Sequence, residues 1–121
     1  MKKRILIFLL LACSIDVMAQ DKTITRFARI TVDSLQLKAY TGLLYEQMNA
    51  AIKNEPGVLS YTVYADKLQP HHITIVEVYA SNEAYLLHRE APHFKKYKEA
   101  TKGMVLKLEL SEVSGLMSLK K

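Results

Sequence analysis

The stretch Asn54-Glu55-Pro56-Gly57-Val58-Leu59-Ser60-Tyr61-Thr62-Val63-Tyr64-Ala65-Asp66-Lys67-Leu68-Gln69-Pro70-His71-His72-Ile73-Thr74-Ile75-Val76-Glu77-Val78-Tyr79-Ala80 carries the architecture of this chain. Pro56 cannot continue a helix that precedes it, and Gly57 permits a sharp turn. Val58 to Ala65 then alternates as a strand does, with Leu59, Tyr61, Val63 and Ala65 on one face and Val58, Ser60, Thr62 and Tyr64 on the other. Asp66 to Pro70 is a polar connection. His72 to Ala80 is a second alternating run, with Ile73, Ile75, Glu77 and Tyr79 on one face and Thr74, Val76, Val78 and Ala80 on the other. Two such runs joined by a short polar segment predict a hairpin.

Upstream, Ile24 to Val32 is rich in β-branched residues and reads as a strand. Asp33-Ser34-Leu35-Gln36 has a helix-capping residue with a Gln three positions later. Leu37, Tyr40, Leu44, Met48, Ala51 and Ile52 follow at spacings of three and four, the stripe of an amphipathic helix. Downstream, Ser81 caps a helix from Asn82 to Glu90, and Pro92 suits the first turn of a second helical piece through Phe94 and Tyr97. Gly103 ends it. Met104 to Glu112 is a last strand, in which Val105 to Leu110 alternates. Ser114 to Lys121 is either a further short strand or an arm that clasps a partner. The order is β-α-β-β-α-β, an α+β chain of ferredoxin-like arrangement with one antiparallel sheet and its helices on one face. The strands read as apolar on both faces, so a homodimer with two sheets face to face is expected.

Composition bounds the rest. With 121 residues, 50% hydrophobic and 24% charged, the chain is one folded domain rather than a repeat array or a disordered tail. Met1-Lys2-Lys3-Arg4 is basic, and Ile5 to Cys13 is apolar but too short for a bilayer span, which needs roughly 20 residues. A basic start, a short apolar run and the small residues of Val17-Met18-Ala19 read as a secretory signal over 1–19, with the domain over 20–121. Leu10-Leu11-Ala12-Cys13 offers a rival reading as a lipobox, with Cys13 lipidated. The chain is expected to be exported and periplasmic, and to touch a membrane only if Cys13 carries lipid. Cys13 is the only cysteine, so cleavage at Ala19 excludes thiol chemistry and disulfides. Loss of 1–19 also removes three basic residues and one acidic residue, taking the net charge from +5 to +3. That is too mild a charge for a nucleic-acid partner. No GxGxxG, GxxxxGK[ST], GxSxG or HExxH pattern is present, and His71-His72 point to opposite faces, so neither a nucleotide cofactor nor a metal is expected.

Three local features go further: Glu55-Pro56-Gly57 ahead of a strand with Tyr61 and Tyr64, then Glu77-Val78-Tyr79, then His88 followed by Ala91-Pro92-His93-Phe94. Together, over roughly residues 24–112, they resemble the antibiotic biosynthesis monooxygenase domain family, including its small quinol monooxygenase-like members. The resemblance implies a dimeric α+β barrel. It also implies oxidation of a small aromatic or quinol-like substrate by O2, without flavin, heme or metal. Such chemistry needs a base, donors for a developing oxyanion and an apolar pocket. Carried onto this chain, the resemblance implies His93 as the base with His88 and Glu77 as further catalytic candidates, and Tyr61, Tyr64, Tyr79 and Phe94 as substrate-binding walls and donors. Each residue also has an ordinary structural reading: cap, ion pair or core aromatic. The family includes heme-degrading members, whose pattern of Trp, Asn and His this chain departs from: it has no Trp, no Asn in the first strand, and Tyr79 where Trp is common. It includes isomerases of small metabolites, which export disfavours. A non-enzymatic dimer that sequesters a small apolar molecule is the alternative outside enzymes.

Overall fold

A computed structural model describes residues 22–121. The expected signal at 1–19 and the lipobox at Cys13 lie outside the described residues. Strands β1 (Ile24–Val32), β2 (Val58–Ala65), β3 (His72–Tyr79) and β4 (Val105–Val113) form one antiparallel sheet in the order β2-β3-β1-β4. Helices α1 (Leu37–Asn54), α2 (Asn82–Glu90) and α3 (Pro92–Thr101) complete the ferredoxin-like α+β arrangement. No helix among the described residues is long and apolar enough to cross a membrane. The tail after Val113 carries neither strand nor helix and is exposed, so the further strand does not form.

The connections follow from local chemistry. The Asp33 carboxylate accepts from the Leu35 N–H, and Gln36 donates its side-chain amide to Asp33 and to the Gly103 carbonyl. These bonds shape a 3-10 turn over Ser34–Gln36 that leads into α1, so the expected cap serves that turn rather than α1 itself. Pro56 and Gly57 end α1, and the Ala80 N–H donates to the Gly57 carbonyl at 2.8 Å. The Ser81 hydroxyl accepts from the Ala84 N–H and starts α2. Ala91, held extended by the proline that follows it, ends α2 and begins α3 at once.

The core sits between the sheet and the helices. Ala28, Ile30 and Val32 of β1 and Ile73 and Ile75 of β3 pack on Tyr40 and Leu44 of α1 and Tyr97 of α3. The Tyr40 and Tyr97 hydroxyls bond each other at 2.5 Å inside it. A second cluster joins Ala51, Val58 and Tyr79.

Strand alternation is broken in two places. In β2, Val58 pairs with Tyr79 and Ser60 with Val78, so Leu59 is an extra residue. This bulge turns Val58 onto the helix side with Tyr61 and Val63, and sends Leu59 out, against the regular alternation. In β4, Lys107 pairs with Thr31 and Val105 with Val32, so Leu106 is the extra residue. Val105 therefore joins the core while Leu106 is exposed. The outer sheet face is also less apolar than expected, since Phe27, Val76 and Val78 share it with Arg29, Lys107 and Glu109. The open apolar surface lies instead along β4, at Leu106, Leu108 and Leu110, and on the tail at Leu116, Met117 and Leu119.

Gly57 sits against α2 so closely that a Cβ there would stand 2.4 Å from the Ala84 Cβ. Gly57→Ala should therefore destabilise the fold by about 1–3 kcal/mol in urea denaturation. Adding Ala84→Gly should recover part of the loss, less about 1 kcal/mol for glycine within a helix. An unchanged midpoint in the single variant would show that α2 yields to the added methyl group without cost.

Candidate active site

The break at Ala91 creates the site. Five residues along an unbroken helix would separate His88 and His93 by about 140° around its axis. With α2 and α3 meeting at an extended residue, both rings turn to one carboxylate, that of Glu55 just beyond the end of α1. His88 Nδ1–H donates to Glu55 Oε2 at 2.8 Å, and His93 Nε2–H donates to the same oxygen at 2.6 Å. The His88 side chain is 1% exposed, Glu55 14% and His93 19%.

His88 continues inward. Its Nε2 lies 3.4 Å from Gln47 Nε2, and the same amide donates to the Tyr61 hydroxyl at 3.2 Å. With Nδ1 donating to Glu55, Nε2 is the accepting nitrogen of a neutral His88. Tyr61 stands opposite Glu77 in the β2–β3 pairing, and the Tyr79 hydroxyl donates to Glu77 Oε2 at 3.0 Å. A chain of polar contacts therefore runs from Glu55 and the two histidines through Gln47 to Tyr61, opposite Glu77. Gln47 Oε1 is buried with no protein partner. A half-turn of the amide would bring that oxygen to His88 Nε2, which suits a His88 protonated on both nitrogens.

A cavity of about 290 Å³ lies between the sheet and helices α2 and α3. His88, Glu77, Tyr79 and Phe94 all line it, joined by Tyr85, Tyr97 and Arg26. Phe94 stacks near His88 with ring centroids 4.7 Å apart. Leu108 and Leu110 of β4 form the wall away from the helices and remain partly open to solvent.

Two expected residues stand apart. His93 reaches the shared carboxylate, but lines a separate hollow of about 490 Å³ together with Glu55, Pro56, Leu87 and Pro92. Tyr64 is on the outer sheet face, 60% exposed, in a groove with Arg29, His72 and Lys107. Tyr61 does not line the cavity; it lies across the β2–β3 pairing from Glu77, which does. Four neighbours of the cavity and its histidines were not among the expected site residues: Glu55, which entered only as part of the Glu55-Pro56-Gly57 turn, Gln47, Arg26 and Tyr85. Gln47 had a visible signal, a polar residue within the buried stripe of Tyr40, Leu44 and Ala51. Glu55 was masked by its place in the turn.

Glu55, His88 and His93 offer donor atoms within 4.8 Å of one another, the makings of a two-histidine, one-carboxylate metal site. The separations of 2.6 and 2.8 Å are those of proton-bridged pairs. Ligands of one tetrahedral ion at about 2.1 Å stand roughly 3.4 Å apart. The two imidazole–carboxylate pairs are spaced as hydrogen-bonded partners.

The tyrosines are held as hydrogen-bond donors. Burial first, and then the charge of Glu77, push the Tyr61 and Tyr79 hydroxyls well above the usual phenol range. Burial first, then Tyr40, does the same to Tyr97. Folded hydroxyls give up their protons later than unfolded ones. Their contribution to stability is complete below the ordinary value of 10.0 and is lost as pH rises above it. Urea midpoints should therefore fall from about pH 9 to about pH 11. Tyr79→Phe should shrink that fall, because one fewer hydroxyl binds its proton differently in the folded and unfolded chains; an equal fall in both proteins would overturn the assignment.

Residues 23–100 match the family model described as antibiotic biosynthesis monooxygenase. Among solved structures, a Bacteroides thetaiotaomicron protein named as a candidate antibiotic biosynthesis monooxygenase is similar at 42% identity and a TM-score of 0.78, over 83% of this chain and 96% of that one. A candidate monooxygenase of Lactobacillus acidophilus is similar at 29% identity and a TM-score of 0.75, over 78% of this chain and 45% of its own. A Nitrosomonas europaea protein shares the fold at 15% identity and a TM-score of 0.74, over 80% of this chain and 93% of that one. No curated protein matches the chain.

Proposed function

Because the chain belongs to the antibiotic biosynthesis monooxygenase family, we propose that it is a monooxygenase that oxidises a small hydroxylated aromatic with O2 and no cofactor, with His88 as the base. The observation that carries this reading is the buried His88 ring in the cavity wall, its Nδ1–H held by Glu55 at 2.8 Å among aromatic side chains. A hydroxylated ring lies between Tyr79, Tyr85, Phe94 and Tyr97. His88 Nε2 removes the hydroxyl proton, and Glu55 compensates the positive charge that results. The electron-rich phenolate reduces O2 itself. Bonding of one oxygen atom to a ring carbon and loss of the other as water turn a phenol and O2 into a quinone and H2O. The tyrosine hydroxyls near Glu77 supply donors, and the walls keep water from the reacting anion.

In this reading His93 is a positioning residue, which fixes Glu55 from the outer side. The protein acts after export, as its first residues suggest, and as a homodimer. Support for the dimer comes from the exposed leucines of β4 and the tail. A monomeric mass in light scattering at micromolar concentration would remove the dimer.

Oxygen uptake with a panel of quinols and polyphenols tests the activity. Uptake should survive chelators. His88→Gln should lower it by about 10²–10⁴-fold, and His93→Gln by much less, with near-UV circular dichroism confirming both folds. Folded His88→Gln that keeps full activity would overturn the role of His88. No uptake from the native protein across the panel would favour a binding module over an enzyme.

A further inference from the structure

The cavity wall is more basic than oxidation of a neutral quinol requires. Its residues include three cations, Arg26, Arg89 and Lys98, against one carboxylate, Glu77. Glu77 is already occupied, since it accepts from the Tyr79 hydroxyl. Arg26 faces Glu77 across the β1–β3 pairing, yet its guanidinium turns to the cavity mouth. There it lies 4.2 Å over the Tyr85 ring and meets Glu112 at 3.3 Å. Glu112 is 55% exposed, and the contact uses one of five guanidinium N–H groups. The Arg26 side chain is itself only 17% exposed, so its charge is largely withdrawn from water. Arg89 approaches the same Tyr85 ring at 5.9 Å. An aromatic floor with a part-buried guanidinium beside it matches a ring that carries an acid group. The volume of about 290 Å³, at the small end of the roughly 300–1,000 Å³ of ligand pockets, suits one or two rings.

We infer that the substrate class is a hydroxylated aromatic carboxylate. Its carboxylate pairs with Arg26 at the β4 side of the cavity, and its hydroxyl points inward to Glu77 and His88. Arg89 and Lys98 supply attraction at the rim. The inference rests on the cavity being the site of the proposed reaction, and it fixes which end of the substrate enters first: the acid group cannot pass beyond Arg26 without leaving its counter-charge, so the ring is presented hydroxyl-first to the base.

The test is anaerobic calorimetric titration of the full domain with 2,5-dihydroxybenzoate and with hydroquinone, the same diol without the acid. The dihydroxybenzoate should bind at least about tenfold more tightly, with an advantage that falls as salt rises. Arg26→Gln should bring the two affinities together. Should that variant fold poorly, Arg89→Gln combined with Lys98→Gln, both at exposed positions, should halve the salt dependence or more. Equal affinities in the native protein, no binding of either probe at millimolar concentration, or a preference that survives Arg26→Gln would each overturn the inference. Oxygen uptake read in parallel separates the two proposals. Acid-dependent binding without any uptake sinks the monooxygenase reading and keeps the ligand class. Uptake with hydroquinone alone does the reverse.

Discussion

One carboxylate oxygen holds this molecule's chemistry together. Glu55 Oε2 takes hydrogen bonds from His88 on α2 and His93 on α3 while sitting just beyond the end of α1. Three helices thus converge on a single acceptor. Charge-assisted bonds of this length are about twice as strong as neutral ones, and at this depth water does not compete fully for them. Removing Glu55 would leave a buried histidine with no partner for Nδ1 and would unpin the junction at Ala91. The aromatic cavity beneath α2 and α3 keeps its shape because that junction is held.

The interior is polar around the candidate site and apolar elsewhere. Val32, Ile73, Ile75 and Leu44 supply close packing, while Gln47, Tyr61, Glu77 and His88 form a strip of hydrogen-bonded groups through it. Such a strip is stable only when its members are paired. The unpaired Gln47 Oε1 is the exception, and a half-turn of its amide would bring it to the His88 nitrogen proposed to change its protonation during turnover. Under that proposal the leftover acceptor has a use once the ring carries two protons.

The element order, the end of α1 at Pro56-Gly57 and the split of α2 from α3 at Pro92 were all legible from periodicity and from residues with special backbone demands. Period-two faces held for β3. They failed at Leu59 and Leu106, because a bulge is a choice of pairing partner and leaves no mark on one strand's own sequence. Among the site residues, His88, Glu77, Tyr79 and Phe94 share the cavity wall. Tyr64 differs because it lies one position out of phase with Tyr61 and Val63. His93 differs because a helix break changes direction in space, which residue spacing alone does not report. Glu55 was hidden by its second role: in a turn with Pro and Gly, a Glu reads as solvent-exposed punctuation.

The two bulges have a further consequence. Each lies in an outermost strand, β2 or β4, whose free side exposes unpaired backbone groups. A regular edge is a template on which a strand from another molecule can zip, and that is how sheets grow into fibrils. Here the spacing of donors and acceptors shifts by one residue near the start of each edge, so an incoming regular strand falls out of step there. A chain with open leucines along its last strand is thereby guarded against open-ended stacking, while association through a face, which closes after two copies, remains available to it.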